Sequence, residues 1–183
     1  FTIKPYNLDK KNIVDIDNKA RSLVEHEVKK GDYSSRGEKT TTLGRQKMKF
    51  FRDELLKEYG NKCAICNLGI ENYLIAAHIV KFSEMQKTDP DNAMNPSDGI
   101  LLCRLCDIAF ENGDIRLNTD FSIEVSNNLI NKSHHDNSLK SWLSQLKKQI
   151  NPTGNSGHPP GFKFIKEKLK LISKKHTEKY SVM

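Results

Sequence analysis

The chain has 183 residues, 36 % of them hydrophobic, and a formal net charge of +7. Its apolar runs, such as Tyr73 to Ala77 and Ile100 to Cys103, are far too short to span a bilayer, and no secretory leader pattern opens it. An integral membrane protein is therefore not expected, and the basic excess favours a polyanionic partner over a cationic one.

That length holds one domain with a sizeable core, or a smaller core with helical extensions. The expected location is cytoplasmic. The chain opens at Phe1 rather than Met, so an upstream segment is expected to precede it.

In chain order, residues 1–43 read as a helical lead-in and linker. Ile16, Ala20, Leu23, Val24 and Val28 recur at helical spacing and predict a helix over about 15–30, closed by Gly31. The polar stretch from Gly31 to Gly44 predicts a loop. A second helix is expected from about Arg45 to Tyr59, with Met48, Phe51, Leu55 and Leu56 on its buried face and Gly60-Asn61 closing it. Tyr73 to Ala77 should be a short buried strand, followed by a polar loop from Lys81 to Asp98 and a returning strand from Gly99 to Leu102. A short helix should begin near Asp107 and stop at Asn112-Gly113. Ile115, Leu117, Phe121, Ile123 and Val125 predict a hairpin turning at Asn118-Thr119-Asp120. A helix from about Leu139 to Lys148 follows, then an irregular stretch after Pro152, then a lysine-rich helix from about Phe162 to Lys175. The fold class is therefore α+β.

All four cysteines are spent on two Cys-x-x-Cys knuckles, Cys63-Ala64-Ile65-Cys66 and Cys103-Arg104-Leu105-Cys106. A two-residue gap lets both sulfurs of a knuckle reach one tetrahedral ion, so the four read as a structural Zn²⁺ site. Two disulfides or a dithiol redox pair fit the paired spacing less well.

Between the knuckles, His78 closes the apolar run Ala76-Ala77-His78, and Asp107 follows Cys106 directly. A zinc staple would bring the two together although they are distant in sequence. Hydrolysis of a phosphodiester needs a general base and a hard divalent ion at the phosphate. Neutral imidazole suits the first role, which makes His78 the candidate base. Carboxylate oxygen suits the second, which makes Asp107 the candidate ligand of Mg²⁺ or Mn²⁺, with Asp98 and Glu111 as helpers. A helix start is electropositive, so additional acidic groups should help a cation bind there. Two plainer readings stand beside these: Asp107 as a helix cap, and Asp98-Gly99 as a turn pair.

At this point the chain resembles a known family. The residues that carry the resemblance begin at Arg45-Gln46, Phe50, Leu55-Leu56, Tyr59 and the first knuckle. They continue through Ala76-Ala77-His78-Ile79, Asp98-Gly99-Ile100-Leu101-Leu102-Cys103 and Cys106-Asp107-Ile108-Ala109-Phe110-Glu111-Asn112-Gly113. Ile150-Asn151-Pro152 and His176 extend it. This pattern resembles the His-Asn-His (HNH) nucleases of the ββα-metal fold, and within them the branch found in bacterial restriction endonucleases. It covers roughly residues 44 to 180, so residues 44–183 are expected to form a nuclease domain with a C-terminal helical extension.

The resemblance implies that His78 is the general base, that Asp107 binds the catalytic ion, and that the four cysteines hold zinc away from the chemistry. It implies cleavage of DNA, in restriction or another antiviral defence. Three positions depart from the wider pattern. Ala77 stands where many members have a metal-binding Asp, Asp98 takes the place of the middle Asn, and Asp107 that of the last His. Asp98 would either support the His78 loop or take the missing ligand role.

Duplex DNA would be positioned by basic residues, with Lys81, Arg104, Lys163, Lys166, Lys170 and Lys174 as candidates. His134-His135 beside Asp136 reads as loop rather than a metal pair. A homodimer, an upstream recognition domain or a partner subunit would suit double-strand cutting. The alternatives are a non-catalytic zinc-bound DNA-binding module and an RNA-cleaving nuclease.

Overall fold

A computed structural model describes residues 41–150, together with residues 22, 23, 25, 26, 161, 164–166 and 168. Helix α1 spans Thr41–Glu58. It buries Phe51 and Leu55 completely, one turn apart, while Lys47 and Glu58 continue the same stripe. Met48, expected on that face, is 45 % exposed. The helix begins within the stretch 31–44 that sequence pattern assigned to a loop. It ends where expected, because Gly60 and Asn61 both take positive φ and the Asn61 N–H bonds back to the Leu56 carbonyl at 2.9 Å.

The first knuckle follows, and then strand β1 (Leu74–His78). The chain returns as β2 (Gly99–Cys103), which is buried at every residue. The two pair antiparallel from Leu74↔Cys103 to His78↔Gly99. Helix α3 (Arg104–Asn112) leaves β2 directly. It begins one turn earlier than expected, so its N-cap is Cys103 and Asp107 lies within its first turn rather than at the cap. Gly113 ends it with φ 77°, a conformation that favours glycine.

The segment between β1 and β2 is not a plain loop. It contains helix α2 (Phe82–Thr88) and two single-turn 3₁₀ segments, Pro90–Asn92 and Pro96–Asp98. Met85, Ala93 and Met94 from this segment are buried in the core. The hairpin is as expected, with β3 (Ile115–Leu117) paired to β4 (Ile123–Val125). Helix α4 (Asn127–Ser133) was not apparent from periodicity, and helix α5 (Asn137–Ser144) is shorter than expected. Both are capped by side chains, Ser126 and Asp136, that accept the Leu129 and Leu139 amides. Among the described residues no helix is long and apolar enough to cross a membrane.

Of the terminal helices, Ser22, Leu23, Glu25 and His26 are helical, as are Phe164, Ile165, Lys166 and Lys168. The rest of both expected helices lies outside the described residues. Phe164 and Ile165 are buried in the core, and the Gly161 amide donates to the Ser97 carbonyl at 2.7 Å. The C-terminal segment is thus seated beside the start of β2.

Gly99 decides how closely α1 approaches the strands. A Cβ there would lie 2.6 Å from Leu55 Cδ1 and 2.8 Å from Phe51 Cζ. The missing side chain lets Phe51 reach the end of β1. Gly99→Ala should therefore cost about 1–3 kcal/mol through overpacking, read as a lowered urea midpoint with an unchanged m-value.

Candidate active site and zinc cluster

The four cysteine Sγ atoms lie within 4.8 Å of one another, and Cys66 and Cys103 are 3.6 Å apart. Four thiolates around zinc at about 2.3 Å stand about 3.8 Å apart, so the donor set fits a tetrahedral zinc ion. The protein brings them together through backbone contacts. The Ala64 amide donates to the Leu101 carbonyl, which fixes the first knuckle against β2. Cys103 ends β2, and Cys106 lies in the first turn of α3.

All four cysteines are free thiols. Burial and mutual hydrogen bonds push three of these thiols in opposite directions. Hydrogen bonds from Cys103 and Cys106 hold Cys63 far down, at about 2. Burial pushes Cys66 up to about 12, and Cys106 is raised further through its hydrogen bonds to Cys103 and Cys63. A dication would offset the missing positive charge. Among the described residues this is the one group of three or more His, Cys, Asp or Glu donors close enough to share an ion.

At the other end of the strand pair stands His78. Its Nδ1 lies 3.2 Å from Asp98 Oδ2. Its ring stacks on Phe51, with centroids 4.3 Å apart and an interplanar angle of 12°, and tilts against Phe82 at 5.4 Å. Asp98 is fully buried and has both oxygens engaged, since Oδ1 accepts the Val80 amide at 2.9 Å. The Asp98 carbonyl also accepts the Ile79 amide at 2.6 Å. Of the two roles open to Asp98, the geometry is that of support for His78. Burial raises its carboxyl above the usual range, against the lowering influence of His78 and the Val80 N–H.

The tautomer that donates Nδ1–H to Asp98 carries its lone pair on Nε2. That atom is buried and has no hydrogen-bond partner among the described residues. A buried polar atom left open costs about 1–3 kcal/mol. Such an atom in a native site calls for an explanation.

Helix α3 supplies the acidic groups. Asp107 and Glu111 are one turn apart and so share a face. Burial, then the charge of Glu111, raises Asp107 above the usual carboxylate range. Arg104 Nη1 lies 3.9 Å from Asp107 on the exposed side. Glu111 is exposed and ion-paired. Lys81 Nζ contacts its Oε2 at 2.8 Å and Lys168 Nζ approaches its Oε1 at 3.6 Å. Burial works against its charge, but the Lys81 hydrogen bond and the nearby Lys168 charge hold its pKa below the usual value.

The expected basic residues divide accordingly. Lys81 reaches the site, Arg104 and Lys166 are exposed, and Lys163, Lys170 and Lys174 lie outside the described residues, as does His176. His134 and His135 are exposed and belong to no group of three or more metal donors among the described residues. Lys168, in the C-terminal lysine run expected to include phosphate contacts, is only 8 % exposed and its Nζ sits 4.4 Å over the Phe110 ring. Its spacing could have signalled this, because Lys168 continues the buried stripe of Phe164 and Ile165.

A hard ion takes oxygen donors, and magnesium is commonly held by one or two carboxylates with the remaining positions filled by substrate phosphate and water. Asp107, with Glu111 one turn away, meets that requirement. Ala77 offers no ligand.

Residues 63–118 match the family model described as HNH endonuclease, which supports the HNH family for this region. The match includes the cysteines, His78, Asp98, Asp107 and Glu111, whereas α1 and Lys168 lie beyond it. No curated protein matches the chain.

Elemental analysis should find about one zinc per chain, and Cys103→Ser or prolonged chelation should lower Tm sharply. Asp98→Ala should reduce any hydrolytic kcat on the order of 10²-fold with a smaller change in KM, since it frees the His78 ring without touching substrate.

Proposed function

We propose that the protein is a metal-dependent endonuclease that hydrolyses DNA phosphodiester bonds, in restriction or another defence against foreign DNA. The observation that carries this reading is the His78 ring, whose Nδ1 faces Asp98 and whose buried Nε2 has no hydrogen-bond partner among the described residues, within the stretch that matches the HNH endonuclease model.

In the reaction, His78 Nε2 takes a proton from the attacking water. Asp98 holds the opposite N–H and stabilises the imidazolium that forms. Phe51 and Phe82 keep the ring in plane with that hydrogen bond. The new bond forms between the water oxygen and phosphorus, and the bond to the 3′ oxygen breaks, with that oxygen taking its proton from solvent. Asp107, with Glu111, would hold Mg²⁺ or Mn²⁺, which supplies positive charge at the scissile phosphate. The net charge of +7 suits a polyanionic substrate. A restriction role also suits a homodimer, an upstream recognition domain or a partner subunit, and a cytoplasmic setting.

Purified protein should nick or linearise plasmid with Mg²⁺ or Mn²⁺, and His78→Ala or EDTA should abolish cutting. Cutting that survives His78→Ala would remove the catalytic assignment. Binding without cutting would favour the DNA-binding module, and degradation confined to RNA would replace the substrate.

A further inference from the structure

We propose that Lys81 and Lys168 form the phosphate-binding site of the nuclease centre, with Glu111 acting as a resident counter-anion that the substrate displaces. This rests on the nuclease reading above.

The two ammonium groups engage different oxygens of one carboxylate, Lys81 on Oε2 at 2.8 Å and Lys168 on Oε1 at 3.6 Å. Asp98 and Asp107 lie within electrostatic reach of Lys168, and Glu111 is the carboxylate that both ammonium groups contact directly. The pair of oxygens they hold is the pattern that the non-bridging oxygens of a phosphodiester reproduce. Lys168 comes from the far end of the chain, and its side chain is only 10 % exposed. Burying an ammonium is unfavourable unless a partner compensates, and a shared carboxylate compensates it only in part. The Phe110 ring face supports Lys168 independently of Glu111, so the lysine keeps its place when the carboxylate leaves. Glu111 is 34 % exposed at its side chain and has room to swing out.

The location fits the role. Lys81 follows His78 by three residues, and Glu111 follows Asp107 by one helical turn. The two lysines therefore join the β1 end to the acidic face of α3. A phosphate that takes both lysines lies between base and acid, and it releases Glu111 beside Asp107.

The test is equilibrium binding of a labelled DNA duplex to the full chain in EDTA across a salt series, followed by fluorescence anisotropy. Lys168→Met and Lys81→Met should each weaken binding about tenfold and reduce the salt slope by about one, uniformly across sequences. Lys168→Arg should retain most of the affinity, and Lys132→Met, a charge loss on α4, should have little effect. Glu111→Gln should bind more tightly than the parent, because the competing anion is gone. A purely structural ion pair predicts the opposite or no change for Glu111→Gln. Thermal melts identify any variant that fails to fold. If Lys168→Met is such a variant, the exposed Lys81→Met and Glu111→Gln decide. Parent-like binding by both Lys81→Met and Lys168→Met, or binding by Glu111→Gln no tighter than the parent, overturns the phosphate site. If plasmid cutting still requires His78, the nuclease reading survives that result. A parent protein that neither binds nor cuts DNA overturns both.

Discussion

The convergence of Cys63, Cys66, Cys103 and Cys106 is the constraint on which the rest of the site depends. Two separate pieces of chain meet there: the turn after α1, and the junction where β2 runs into the first turn of α3. A two-stranded sheet is marginal alone. Here one end of it is closed by the cluster at Leu74↔Cys103, and its other end is free to hold chemistry at His78↔Gly99. Four residues of extended chain place these ends about 13 Å apart. An ion held by the four cysteines would thereby stand apart from His78. The rigid β2–α3 junction carries the orientation from one end to the other.

The second constraint is the ring packing around His78. Gly99 removes the side chain that would hold α1 away, and Phe51 enters the space to stack on the imidazole. Core packing and site geometry are therefore the same contact. Asp98 adds the polar half, joining His78 to the Val80 amide through one buried carboxylate. A buried acid with both oxygens engaged is a poor cation ligand and a good splint.

Much of this was legible in the sequence, for local reasons. The knuckles, the two strands and the Gly113 stop depend on short-range spacing, and they fall where expected. Helix α2 was hidden because few apolar residues mark it, with Met85 its one fully buried side chain. The early start of α3 was hidden because Cys103, a poor cap by type, occupies the N-cap position. Met48 and Lys168 show the limit from opposite directions. One is apolar and exposed and the other is charged and buried, because partners distant in the chain override the residue's own preference. Asp98 could be read two ways until its two oxygens were assigned partners.

The excursion from Ile79 to Ser97 begins and ends at one residue. Asp98 ties its start through the Ile79 and Val80 amides, and the same residue leads straight into β2. The ring is closed at its neck. Beyond the anchors Met85, Ala93 and Met94, the exposed tip at Gln86 to Thr88 answers to nothing in the catalytic geometry. Lengthening a closed loop costs only about 0.6 kcal/mol per doubling. The tip is thus a place where evolution can rewrite length and contact chemistry while the His78–Asp98 pair stays fixed.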